Sequence, residues 1–65
     1  MTHVEKNGYN FWVGFDSGND GSTIGIECVQ DPSTYQFAIS NNDEKTAYEV
    51  AERIISEWAD DLKNK

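Results

Sequence analysis

Between Tyr9 and Phe15 the chain reads YNFWVGF, with Tyr9, Phe11, Val13 and Phe15 alternating against Asn10, Trp12 and Gly14. Alternation with a period of two marks a strand that buries one face. Residues 16–22, DSGNDGS, carry turn formers and no core residue, and read as a loop. A second strand is expected over Thr23–Val29, with Ile24, Ile26 and Cys28 on one face. Gln30-Asp31-Pro32-Ser33 then reads as a turn, because Pro32 fixes its own φ and has no N–H to donate to a ladder. A third strand over Thr34–Ser40 would turn Tyr35, Phe37 and Ile39 inward. Antiparallel pairing of Phe15 with Ile24 and Val13 with Ile26 keeps the apolar faces together. Ile26 opposite Phe37, with Ile24 opposite Ile39, does the same for the second hairpin.

The last third of the chain changes period. Ala47, Val50, Ala51, Ile54, Ile55, Trp58 and Leu62 recur every three or four residues, the spacing of a helix with one apolar face. Asn41 with Glu44 forms one candidate capping box at its start, and Ser40 with Asp43 a rival one. The inner face of the sheet is the natural partner for the helix stripe. The expected fold is therefore α+β: a three-stranded antiparallel meander with one C-terminal helix on one face (β-β-β-α). It forms a single domain over 1–65, and residues 1–8 are expected to be a flexible N-terminus.

Charge changes the picture more than composition does. Twelve acidic residues face five basic ones, a net charge of −7 on 65 residues. Such a field repels nucleic acid and attracts basic partners. The cations Lys6, Lys45, Arg53, Lys63 and Lys65 are scattered rather than gathered into a stripe, so direct nucleic-acid binding is disfavoured. A chain this short has difficulty enclosing a deep active site. Cys28 and His3 are the only residues of their kinds and lie far apart in sequence, and no phosphate-binding glycine loop precedes a helix. No enzyme, cofactor or catalytic residue is expected. The lack of a long apolar run or a charged-then-apolar leader points to a cytoplasmic protein.

Three features remain as candidate chemistry. Asp16, Asp20, Gly21 and Glu27 match four positions of a calcium-binding loop, but Gly18 offers no side-chain oxygen where a ligand is needed and strands flank the segment instead of helices. A calcium-dependent module is accordingly an outside alternative, and no metal ligand is assigned. Trp12 falls on the face opposite Phe11 and Val13, beside Gly14, Gly25 and Ala38. There it either shields the glycine backbone or serves as an exposed anchor. A homodimer through this face is the alternative to an acidic binder. Glu57, Asp60 and Asp61 sit in the last turns of the helix, where the macrodipole disfavours negative charge by roughly 0.3–1 kcal/mol each. Glu57 and Asp61 are also a like-charged i,i+4 pair.

From Tyr9 to Trp58 the order of elements resembles that of small phage-encoded anti-CRISPR proteins, inhibitors of an RNA-guided nuclease that present an acidic surface. The similar segments are the polar loop with Asp16-Ser17, the second turn with Asp31 four residues before Tyr35, Ile39-Ser40, an acidic cap, and Ile54-Ile55 leading to Trp58. In that family, acids around the second turn mimic phosphates at the site that reads the PAM, and Asp31 is the position retained here. Gly8 and Thr34 stand where the family has acids, and its leading and trailing helices have no counterpart. The resemblance implies a phage or mobile-element inhibitor that occupies the basic groove of a nucleic-acid-binding protein, acting in the host cytoplasm. From the placement of charge along the chain, the expected partner-binding residues are Asp16, Asp20, Glu27 and Asp31 as one acidic rim, Glu57, Asp60 and Asp61 as a second, and Trp12 as the apolar anchor.

Overall fold

Asn7 and Gly8 decide how the chain begins. In the computed structural model, which describes residues 1–64, both take left-handed φ values of 55° and 84°. That is the backbone of a type I′ turn, for which Asn-Gly is the favoured pair. The turn folds Thr2–Lys6 (β1) back against Tyr9–Ser17 (β2), with Thr2 opposite Val13, Val4 opposite Phe11 and Lys6 opposite Tyr9. The segment expected to be flexible is thus a strand, and the sheet has four strands rather than three. β3 (Ser22–Cys28) and β4 (Asp31–Ile39) complete an antiparallel meander in the order β1-β2-β3-β4, and α1 (Glu44–Lys63) follows. The coarser expectation, an antiparallel sheet with one C-terminal helix, is what the chain forms.

The first register is as the apolar faces require: Val13 pairs with Ile26 and Phe15 with Ile24. Both strands run on to pair Ser17 with Ser22, so the loop shrinks to Gly18–Gly21 and is closed by a 2.7 Å bond from the Gly18 amide to the Gly21 carbonyl. The second register differs from expectation by two residues. Ile24 faces Phe37 and Ile26 faces Tyr35, while Ile39 lies opposite Ser22. Pro32 is the reason. The turn falls earlier, at Val29-Gln30, with Cys28 opposite Asp31, and an irregularity then takes up Pro32 and Ser33 before Thr34 meets Glu27. A proline is tolerated in an edge strand at a bulge because no ladder bond is asked of it. A slip of two keeps every side chain on its expected face.

The helix cap is neither of the expected pairs. Asn41 Oδ1 accepts from the Asp43 amide, which turns the chain, and Asp43 itself is the N-cap. Its carboxylate accepts from the Lys45 amide at 3.1 Å and from the Thr46 hydroxyl at 2.7 Å. The apolar stripe is centred on Ala47, Ala51, Ile55 and Ala59, four residues apart and all buried. Three alanines on the buried line let the helix axis approach the sheet closely. Phe11, Val13, Ile24, Ile26 and Cys28 close the core from the other side, with Trp58 set edge-on to Phe11 at 5.3 Å.

Three hydrogen bonds tie the helix to the sheet on the β1–β2 side, besides the bond from Trp58 to Asp31 on β4. Tyr9 donates to the Leu62 carbonyl at 3.4 Å, Asn7 to Asp60 at 3.1 Å, and Thr2 to the Tyr48 hydroxyl at 3.1 Å. All three come from the first hairpin. The helix therefore rests over β2, β3 and β1, and β4 is the least covered strand. Tyr35, expected to point into the core, is on the helix side of the sheet but 47% exposed. At the other end the buried Ser22 hydroxyl bonds the Asn41 carbonyl and Asn42 Oδ1, and Asn42 Nδ2 bonds the Gly18 carbonyl. The β2–β3 loop is thereby tied to the segment that leads into the helix.

Two outcomes follow from these local geometries. Gly21 has φ of 143°, and a Cβ there would collide with the Ile39 carbonyl. Gly21→Ala is expected to cost about 1–3 kcal/mol in urea unfolding, whereas Gly14→Ala, whose Cβ meets nothing within 4 Å, is expected to keep or raise the midpoint. The hydrogen bond from Thr46, with those from the Thr46 and Lys45 amides and the charge of Lys45, holds the Asp43 carboxyl below its ordinary value of 3.8 despite partial desolvation. A folded-state value below the unfolded one stabilises fully above 3.8 and loses that contribution as pH falls through the lower value. The melting temperature of Asp43→Asn, followed from pH 6 to pH 2, is expected to converge on that of the parent at the acid end.

A candidate acidic binding surface

The outward half of α1 carries Glu49, Glu52, Glu57, Asp60 and Asp61, all exposed, with Arg53 the single cation between residues 49 and 61. These positions are what remains of the helix circumference once the Ala47-Ala51-Ile55-Ala59 line is buried. At 1.5 Å of rise per residue they extend over about 18 Å. Sequence reasoning selected Glu57, Asp60 and Asp61 but missed Glu49 and Glu52. The signal that could have found them is their phase: neither falls on the buried line, Glu49 lying opposite it and Glu52 on its flank.

The remaining candidates do not form one rim. Asp16 and Asp20 lie at the β2–β3 end of the sheet, both exposed. Glu27 stands beside Trp12 on the face away from the helix. Four residues separate Trp12 from Asp16 along β2, or about 13 Å. Asp16 and Glu27 are accordingly too far apart to ligate one cation. Among the described residues no group of three or more His, Cys, Asp or Glu side chains is gathered as a metal site. The segment is a β-hairpin, and its match to a calcium loop is one of sequence alone.

Asp31 belongs with the helix acids instead. Its Oδ2 accepts from the Trp58 indole N–H at 3.1 Å, and its Oδ1 from the Ser33 amide at 3.1 Å. Next to it a cleft of about 290 Å³ runs between β4 and α1, lined by Ser33, Thr34, Tyr35, Ile54, Glu57, Trp58 and Asp61. Its volume is at the lower end of that of small-molecule sites, about 300–1,000 Å³. Its floor is apolar and aromatic, and its helix wall is acidic. Glu57 and Asp61, one turn apart, both look onto it.

Trp12 is 39% exposed. Its indole does not lie over Gly14, above which a Cβ would find open space. It meets instead the imidazole of His3, with ring centroids 5.1 Å apart, and His3 Nε2 is 2.9 Å from Asn10 Oδ1. The strand missing from the sequence-based fold is thus what shelters Trp12. Gly14 and Gly25 floor a shallow depression beside it, edged by Met1, Glu27, Thr34 and Gln36. Cys28 is buried in the core. Lys65 lies outside the described residues.

No family model matches this chain, and no curated protein and no solved structure is similar to it at a significant level. No helix among the described residues is long and apolar enough to cross a membrane.

Asp31 has a structural duty that any test of binding must respect. Asp31→Ala leaves the part-buried indole N–H without its acceptor. The expected loss is about 1–3 kcal/mol in urea unfolding, with Trp58 emission shifted to longer wavelength. Asp31→Asn, which keeps an acceptor oxygen, is expected to recover most of that loss.

Proposed function

We propose that this chain is a non-catalytic acidic binding protein that occupies the basic groove of a nucleic-acid-handling protein in place of nucleic acid. The observation that carries the reading is the set of exposed carboxylates around the part of α1 that the sheet does not cover. Five acids against one arginine along about 18 Å of helix leave the exposed circumference of α1 strongly negative. Carboxylates set opposite Lys and Arg speed encounter at low salt and impose specificity through complementary potential. The placement of Glu57, Asp60 and Asp61 supports the same reading. Acids at a helix C-terminus oppose the macrodipole, and of the three only Asp60 has a folding role, through its bond to Asn7.

The resemblance to acidic anti-CRISPR inhibitors supports the same strategy, that of a phage or mobile-element protein acting in the host cytoplasm, rather than the same target. Asp31 is the retained family position, but its two oxygens are engaged by Trp58 and Ser33. The mimicry proposed here therefore rests chiefly on the helix acids. A second copy of the chain is the weaker candidate for partner, because pairing two surfaces of net charge −7 adds repulsion.

The test is capture from a host lysate followed by challenge with duplex DNA. The expected result is recovery of a nucleic-acid-binding protein that DNA releases. Combined Glu49→Gln, Glu52→Gln and Glu57→Gln changes are expected to weaken capture at least tenfold, about 1.4 kcal/mol, and to flatten its salt dependence. Capture that neither DNA nor salt disturbs would sink the reading.

A further inference from the structure

Among the described residues β4 pairs with β3 on one side and with no strand on the other. From Thr34 to Ile39 it reads TYQFAI, six residues without a charge and rich in strand formers. Natural edges are usually blunted by lysine, proline, bulges or inward charges. The opposite edge, β1, carries Glu5 and Lys6 in five residues. On β4 the protective features, Asp31, Pro32 and the irregularity beside them, are confined to the start of the strand. Over the rest, alternate residues turn N–H and C=O groups outward. This open edge runs beside the Tyr35, Ile54 and Trp58 cleft with its Glu57 and Asp61 wall.

We infer that β4 is a docking edge for an extended, Lys- or Arg-bearing segment of a partner protein, which adds as a fifth strand and directs its cationic side chains into the cleft. The inference rests on the acidic-binding reading and names how the partner is held. A strand added about 4.8 Å beyond β4 places every second side chain on the helix side. There an Arg or Lys stem lies along Tyr35 and Trp58, and its charge reaches Glu57 and Asp61. Main-chain bonds supply affinity in such strand addition, and alternate side chains supply specificity. Charge selects the occupant. A cation relieves the Glu57–Asp61 repulsion, whereas a second copy of this chain would bring two such pairs to one seam.

The probe is a short, end-blocked peptide of alternating valine and lysine, titrated into the full chain at low salt. Its comparison is the same peptide N-methylated at alternate amides, which keeps charge and removes strand bonding. The expected result is amide shifts and slowed hydrogen exchange over Thr34–Ile39, a shift of the Trp58 indole N–H, and binding weakened about tenfold or more by N-methylation. Glu57→Gln with Asp61→Asn is expected to weaken binding several-fold and reduce its salt dependence. Equal binding of the two peptides, or shifts confined to the outer face of α1, overturns the strand-addition inference while leaving the acidic-binding reading standing. No binding of either peptide overturns both. Concentration-dependent β4 shifts without peptide, with a dimer in sedimentation, assign the edge to a second copy and overturn the inference.

Discussion

One helix has to cover a sheet wider than itself. A helix with its side chains is about 10 Å across, and four strands about 4.8 Å apart span roughly 14 Å between the outer strand axes. Full cover of both edges is impossible, so the side to which the helix is held decides what stays open. Tyr9, Asn7 and Thr2 hold it over the first hairpin. The alanine line of α1 then seats on Phe11, Val13, Ile24 and Ile26, and β4 is left as the open margin. The exposure of Tyr35, the cleft beside Trp58 and the free edge from Thr34 to Ile39 all descend from that offset.

The same offset explains why the acids matter where they do. Burying Ala47, Ala51, Ile55 and Ala59 turns Glu49, Glu52, Glu57, Asp60 and Asp61 outward, and it places Glu57 and Asp61 on the cleft. Asp60 is partly offset by its bond to Asn7, and Asp31 by the Trp58 indole. Glu57 and Asp61 remain as a like-charged pair near the negative end of the helix. Locally unfavourable charge beside an unprotected strand edge is a conflict that folding alone does not resolve, and it is where a basic partner has most to offer.

Much of the fold was legible because side-chain alternation is a short-range property. Phe11, Val13, Ile24, Ile26 and Cys28 are buried on the face that their parity required. The errors have physical sources too. β1 was missed because THVEK holds one strongly apolar residue, Val4, so the strand leaves no alternation to see. The Asn7-Gly8 pair was the readable sign, since few dipeptides tolerate two successive left-handed residues. The β3–β4 register slipped by two because Pro32 looked like the centre of a turn, while the edge strand absorbs it in an irregularity. The cap moved to Asp43 because Asn41, the expected capping residue, turns the chain two residues earlier.

The sequence by itself determined the parity of each strand, the apolar line of the helix and the excess of negative charge, because each depends on residues within a turn or two of one another. It could not determine which acids share a surface. Asp31 and Trp58 are 27 residues apart and meet only because β4 and α1 end on the same side of the sheet. Asp16 and Glu27, close in sequence, are set on separate parts of the hairpin by its register. Separation between elements is fixed by where the helix docks, and that is settled by the shared core and by long-range contacts such as Tyr9–Leu62, Asn7–Asp60 and Trp58–Asp31.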